Sequence, residues 1–357
     1  MRPQSPVAAT PEGAQRYLVL DGLRGLAAFA VILDHVASNT LRALVPGRYL
    51  AVDFFFVLSG FVLANGYGDR LQGELGAGRF MRLRLIRLYP LYLAGLVIGL
   101  ALALLEVLHG WGSARPAEVA TAGLFGIAFL PTPPIFGWTG GQLYPFNGPS
   151  WTLFFELVAN LAFALTARRL GPRAFMLLLP VAGAFTIFAI LRQAEGGPGW
   201  LWGHFDAGLA TVIYGFFMGV LIYRLRARWR APKTPAVLAV LAFAAIVAVP
   251  ATGMWRQGYD ALAAIVLMPL LVAFAAGAEI KGGAAKVCGW LGLISYGVYA
   301  LHVPLLGVVD LVMSKLHLQP AFGFEKVLLV ASLAALAATL ADRFYDRPVR
   351  RWLTRFG

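Results

Sequence analysis

Arg24, Asp34 and His35 stand inside LVLDGLRGLAAFAVILDHV (18–36), a run otherwise apolar enough to lie in a membrane. An ionisable side chain at the centre of a bilayer costs about 2.5–3.5 kcal/mol on insertion scales, so such residues are expected to face a bundle interior and to gate or react there. Arg24 and His35 are eleven residues apart, which on an α-helix is about 20° past three full turns, with a rise of about 16 Å. They share one face. A fixed cation at one depth and an imidazole that titrates near neutrality at the other would then look into one cavity. Asp34 points about 100° away from His35 and is poorly placed to orient the ring. A pairing of Arg24 with Asp21, and an interfacial His35, accounts for the same residues without chemistry.

Three further stretches carry polar groups at useful spacing. FMRLRLIRLYPLYL (80–93) brings Arg82, Arg84 and Arg87 to the start of an apolar run. Guanidinium forks match phosphate oxygens bidentately, although a basic loop end is also what membrane topology alone demands. NGPSWTLFFELVAN (147–160) follows Ser150 and Trp151 with Glu156 inside an apolar helix; that carboxylate is either a structural partner for a neighbouring helix or an orienting group for His35 or a hydroxyl. LISYGVYALHVPLL (293–306) sets Ser295, Tyr299 and His302 on one stripe. Pro304, lacking an N–H, frees a helix carbonyl that needs another donor. A polar helix contact and a substrate pocket remain equal readings of that stripe.

The elements that must hold these residues follow from composition. Of 357 residues, 59% are hydrophobic and 13% charged, with mean hydropathy +0.73. The fold class is an all-α polytopic membrane protein. Apolar runs of spanning length lie at 17–37, 48–66, 85–108, 150–167, 174–192, 208–225, 236–251, 259–279, 288–312 and 324–342. The expectation is a bundle of about ten transmembrane helices plus a short half-helix or interfacial segment at 119–130. With both termini cytoplasmic, the inner segments hold 22 of the 30 lysines and arginines and the outer ones seven, as the positive-inside rule requires. The net charge of +13 therefore points to anionic headgroups of the lipid bilayer rather than to nucleic acid. The organisation expected is a tail (1–16), one membrane domain (17–352) and a terminal tail (353–357).

Taken together, Arg24-x10-His35, FFFVLSGFVLA (54–64), the inner Arg84-x-x-Arg87, Ser150-Trp151-Thr152-Leu153-x-x-Glu156 and Tyr299-x-x-His302 resemble the acyltransferase-3 family of integral-membrane O-acyltransferases. The resemblance implies transfer of an acyl group, often acetyl, from acyl-CoA (acetyl-CoA) to a hydroxyl of a carbohydrate, glycolipid or small-molecule acceptor at the outer face. It implies His35 as general base or acyl relay, Arg24 as electrostatic partner, and Glu156 as the group that orients His35 or the acceptor. Arg82, Arg84 and Arg87 would dock coenzyme A; Ser150, Trp151, Ser295, Tyr299 and His302 would line the pocket, with the segments 131–150 and 193–207 shaping acceptor choice. A bacterial inner membrane is the expected home. The family ends in Glu-x-Pro where YDRPVRRW (345–352) has Asp346, which leaves that contact open.

Other classes find less in the sequence. His109, His204 and His317 lack acidic or cysteine partners at ligand spacing, so no metal site is expected; the single cysteine, Cys288, excludes an internal disulfide. There is no glycine-rich phosphate loop and no G-x-S-x-G elbow. The alternative from a different class is a secondary transporter or exporter with Arg24, His35, Glu156 and His302 as a proton or substrate path, although no internal repeat of the transporter kind is visible. A polyprenyl-phosphate glycosyltransferase ranks third, because the outer acidic residues form no D-x-D-like motif.

Overall fold

The computed structural model describes residues 15–192, 199–226, 234–250, 252–318 and 323–355. Most of the 1–16 tail, residues 193–198 of the second acceptor-side segment and the last two residues of the 353–357 tail lie outside the described residues. Within them the chain is all-helical, with no strand. The first half runs α1 (Leu18–Val36), α2 (Asn39–Leu44), α3 (Ala51–Gln72), α4 (Ala77–His109), α5 (Pro116–Ile127) and α6 (Ser150–Thr166). The second runs α7 (Pro172–Arg192), α8 (Phe205–Arg226), α9 (Ala236–Ala248), α10 (Gly253–Leu262), a π turn (Ala263–Leu267), α11 (Met268–Ala275) and α12 (Gly282–Lys315). The chain closes with α13 (Phe324–Ala341), a second π turn (Asp342–Asp346) and α14 (Arg347–Arg355).

Helices occur at all ten expected places, but among the described residues seven are long and apolar enough to cross a membrane. The other three each miss on a physical count. α1 carries Asp21, Arg24 and Asp34 within its 19 residues, α6 is 17 residues long and α9 is 13, against the roughly 20 needed to span a hydrocarbon core unaided. The segment expected at 119–130 is α5, a 12-residue helix opened by Pro116 at its first position.

α12 is the post around which the chemistry is arranged, packing against α1, α13 and α4. Small residues bring α1 against it: a Cβ on Gly25 would come within 2.5 Å of Leu291 Cβ, and one on Gly292 within 2.6 Å of Asp21 Cβ. Close backbone approach of this kind replaces the hydrophobic drive that helices lack in lipid. On the far side α3 lies on α8, and α6 bridges α4 and α8. Phe54, Phe61, Phe80, Phe155, Phe163 and Phe216, all fully buried, fill the space between.

The carbonyl freed by Pro304 finds its donor. That carbonyl belongs to Ala300, four residues before the proline, and Asn147 Nδ2 donates to it at 2.9 Å from the segment preceding α6. One side chain thus satisfies the broken helix ladder and ties the α5–α6 connection to α12.

Candidate active site

Arg24 is held from three directions. Its guanidinium donates to Asp21 Oδ1 (3.0 Å), to Ser295 Oγ (3.0 Å) and to the Gly292 carbonyl (2.7 Å), so every contact fixes it between α1 and α12. Asp21 is shared with Arg16, whose Nε lies 3.0 Å from Oδ2. Three turns further along the same face, His35 also meets α12. The helical spacing therefore placed both residues on one side of α1, but the passage between them is interrupted.

A cavity of about 980 Å³ opens at the end of the bundle where α1 begins and α14 ends. Arg24, Arg84, Arg87, Glu156, Ser295 and Tyr299 line it; His35 and His302 do not. Val52 and Phe55 of α3 and Thr152 of α6 also line it, with Tyr299 of α12. The expectation that Arg24 and His35 look into one shared space is corrected to this extent: Arg24 and Tyr299 are on the cavity wall and His35 is not, the Tyr299 ring lying 5.9 Å from that of His302, which meets His35.

Glu156 is directed away from His35. Its Oε1 accepts from Arg84 (2.8 Å) and from Ser59 Oγ (2.8 Å), both side chains of the ion pair being under one fifth exposed. With the Asn160 amide turned so that its oxygen accepts from Arg84 Nε at 3.1 Å, the guanidinium is gripped from one face of α6. A carboxylate in apolar surroundings takes the cation within reach, since breaking such a pair leaves a buried charge. The ring-orienting role expected of Glu156 has no geometry here.

The three arginines of 80–93 separate. Arg87 lies over the Tyr296 ring at 5.1 Å and 3.6 Å from Asp346. Arg82 is exposed, contributes nothing to the cavity wall and donates to the Leu353 carbonyl of α14 at 3.4 Å. The cause is helical: Arg82 is two residues from Arg84 and so faces the opposite side of α4, whereas Arg84 and Arg87 are i and i+3. In sequence Asp346 stands among the terminal arginines with its contact open. The π turn carries it inward, where it accepts from Arg350 (2.8 Å) while Asp342 holds Arg347 (2.6 Å). The five-residue turn is invisible to a 3.6-residue pattern.

Beyond Tyr299 lies a histidine pair. His302 is fully buried; its Nδ1 is 2.8 Å from the Tyr299 carbonyl and 3.2 Å from that of Val298. Carbonyls only accept, which assigns the proton to Nδ1 and leaves Nε2 as an acceptor. That Nε2 faces His35 Nδ1 at 3.4 Å, and His35 Nδ1 also lies 2.9 Å from the Val31 carbonyl. The same logic puts the His35 proton on Nδ1 and its free lone pair on Nε2, on a ring exposed at the far end of α1. Asp34 turns aside to Arg48 (2.8 Å).

The remaining pocket candidates divide. Ser295 and Tyr299 line the cavity, and Tyr299 is bonded to Thr152 Oγ1 at 2.8 Å. Trp151 is packed among aromatic rings, with Phe56 and Phe155 at 6.1 and 6.0 Å. Ser150, almost fully buried, borders a separate void of about 10 Å³ with Asn147. Neither belongs to the main cavity; each faces the α5–α6 connection because α6 starts there. The two acceptor-side segments do join over their described residues: Leu143 N–H donates to the Trp200 carbonyl (3.0 Å) and Trp202 Nε1 to the Thr132 carbonyl (2.7 Å). Burial there pushes the Tyr144 phenol above its usual value, so that it serves as a donor, to the Phe129 carbonyl at 3.0 Å. Among the described residues no cluster of metal-ligating side chains occurs.

An all-helical membrane chain with a cation-lined cavity and an exposed imidazole paired with a buried one beside it has the outline of a membrane group-transfer enzyme. Comparison supplies the class: the profile of the acyltransferase-3 family, an acyltransferase domain, matches residues 17–341, and the chain belongs to that family. It is therefore a multi-pass membrane O-acyltransferase, and the transporter alternative falls away. The chain is similar to "Acyltransferase MdmB" of Streptomyces mycarofaciens, 29% identical over 329 residues, covering 82% of this chain and 79% of the relative. It is also similar to "Protein 2 in picA locus" of Rhizobium radiobacter, 36% identical over 185 residues, covering 49% of this chain and 95% of the relative. No solved structure matches it.

Proposed function

We propose that this chain crosses a bacterial inner membrane with ten helices, both termini cytoplasmic, and moves an acyl group from acyl-CoA, acetyl-CoA as the simplest donor, to a hydroxyl of a carbohydrate, glycolipid or small molecule at the outer face. The observation that carries this reading is the arrangement of an arginine-lined cavity with Tyr299 on its wall, whose ring is next to that of His302 in the His302–His35 pair. In this reading the donor's phosphates stay at the basic mouth and its pantetheine arm runs past Arg24 to bring the thioester beneath Tyr299. Arg24, fixed by three partners about three helical turns from His35, supplies a preorganised positive charge along the donor's path rather than at the reacting carbonyl. His35 Nε2 removes the proton of the attacking hydroxyl, the new C–O ester bond forms as the C–S bond breaks, and the same proton is returned to the departing thiolate. Glu156 acts at one remove, by holding Arg84 in the cavity wall.

The test is the purified protein in lipid nanodiscs, given radiolabelled acetyl-CoA and a panel of hydroxyl acceptors. Release of free coenzyme A with label transferred to an acceptor is expected, and His35→Ala is expected to lose that transfer by a factor on the order of 10²–10⁴ while remaining folded. Full activity in that variant would remove His35 from the reaction.

A further inference from the structure

Six of the cations lining the cavity are already matched. Arg16 and Arg24 share Asp21, Arg84 has Glu156, Arg347 has Asp342, and Arg87 and Arg350 share Asp346. Two are not: Lys286, from the first turns of α12, and Arg351, from α14, both exposed and both on the wall of the same cavity. Among the described residues no acidic group pairs with either. The free positive charge of this cavity is therefore at its mouth, on elements that the arginine motif of α4 does not include.

We propose that Lys286 and Arg351 form a phosphate-binding subsite for the 3′-phosphate of the donor's nucleotide, an assignment that rests on the acyl-CoA reading above. Three observations select that group. A phosphate monoester carries about −1.5 to −2 charge at neutral pH, which two unpaired cations balance, whereas each phosphate of the pyrophosphate bears a single charge. The monoester sits at the end of the donor farthest from the thioester, and Lys286 lies 13 residues before Tyr299 on α12, about 20 Å along the helix, with Arg351 on the terminal helix. Arg84, by contrast, is under one fifth exposed and bonded to Glu156, so recruiting it for phosphate would first break a shielded ion pair. α14 is tied to this mouth by Arg82 of α4, which donates to the Leu353 carbonyl, and so holds Arg351 at the opening before a ligand arrives.

The experiment is direct binding of coenzyme A and of dephospho-coenzyme A, which lacks only the 3′-phosphate, to the full chain in zwitterionic nanodiscs. The wild type is expected to bind coenzyme A tighter on the order of tenfold, as two partly solvated cation–phosphate contacts allow. In the double variant Lys286→Ala, Arg351→Ala that preference should vanish, with dephospho-coenzyme A bound as by the wild type. A double variant that still discriminates between the two ligands, or that loses affinity for both equally, overturns the subsite. A wild type that binds neither ligand overturns the acyl-CoA reading itself, and the subsite with it.

Discussion

His302 Nε2 lies 3.4 Å from His35 Nδ1, and the buried ring of the pair keeps its own Nδ1 against the Tyr299 carbonyl. The contact joins α1 to α12 at the depth where the first helix ends. It also fixes which nitrogen of His35 remains free, because a neutral imidazole that donates through Nδ1 accepts through Nε2. If His35 is the reacting imidazole, as proposed, His302 would position it rather than touch substrate. Replacing His302 by alanine should lower kcat on the order of tenfold with little change in KM for either substrate, and His302→Gln, which retains an acceptor, should recover part of the loss. Steady-state kinetics at several pH values would read this; a rise in KM alone would return His302 to simple packing.

The Arg84–Glu156 pair makes a stability prediction. Removing either partner leaves the other charged and shielded from water, at a cost of about 3–5 kcal/mol. Arg84→Met or Glu156→Gln alone should therefore lower the melting temperature in detergent more than the double variant does. Equal or additive losses would show that the two charges are energetically independent.

Asn147 and Pro304 should be coupled through the Ala300 carbonyl. Asn147→Leu strands the Ala300 carbonyl, at about 1–3 kcal/mol. Pro304→Ala restores the helix N–H four residues on and should rescue Asn147→Leu, while doing little by itself. Thermal unfolding of the two single variants and the double decides it, and absence of rescue refutes the donor assignment.

The α4 arginines should differ in their effect on the donor. Arg87 lines the cavity beside Tyr296, so Arg87→Ala should raise the KM for the acyl donor on the order of tenfold through loss of a charged contact. Arg82 faces α14 from outside it, and Arg82→Ala should leave that KM within about twofold. A larger effect at Arg82 than at Arg87 would reverse the assignment.

What could be read from sequence was whatever a single helix repeats. The common face of Arg24 and His35 follows from 3.6 residues per turn, and the carbonyl freed by Pro304 from the missing N–H; both appear as expected. The partner of Glu156 did not follow, because Arg84 is 72 residues away and only the packing of α4 on α6 brings the two together. Arg82 shared a motif with Arg84 but not a face, a distinction the spacing held and the motif obscured. Asp346 reached Arg350 and Arg87 through a π turn that no apolar pattern announces. Lys286 and Arg351 gave no signal beyond topology, since their significance lies in what fails to pair with them. Span number was blurred for the same reason in three places, where charge or brevity in α1, α6 and α9 makes a helix look less like a membrane segment than its neighbours do.

Tyr299, anchored by Thr152 and the Pro149 carbonyl, gives the molecule the character of an airlock. If the donor's thioester lies on the cavity side of that ring, as proposed, the ring would screen it from water around the exposed imidazole, and hydrolysis without acceptor should be slow even with donor saturating. Swinging that phenol ring away would open the cavity toward His302 and His35, and the natural moment for that is when an acceptor has already displaced solvent from around His35.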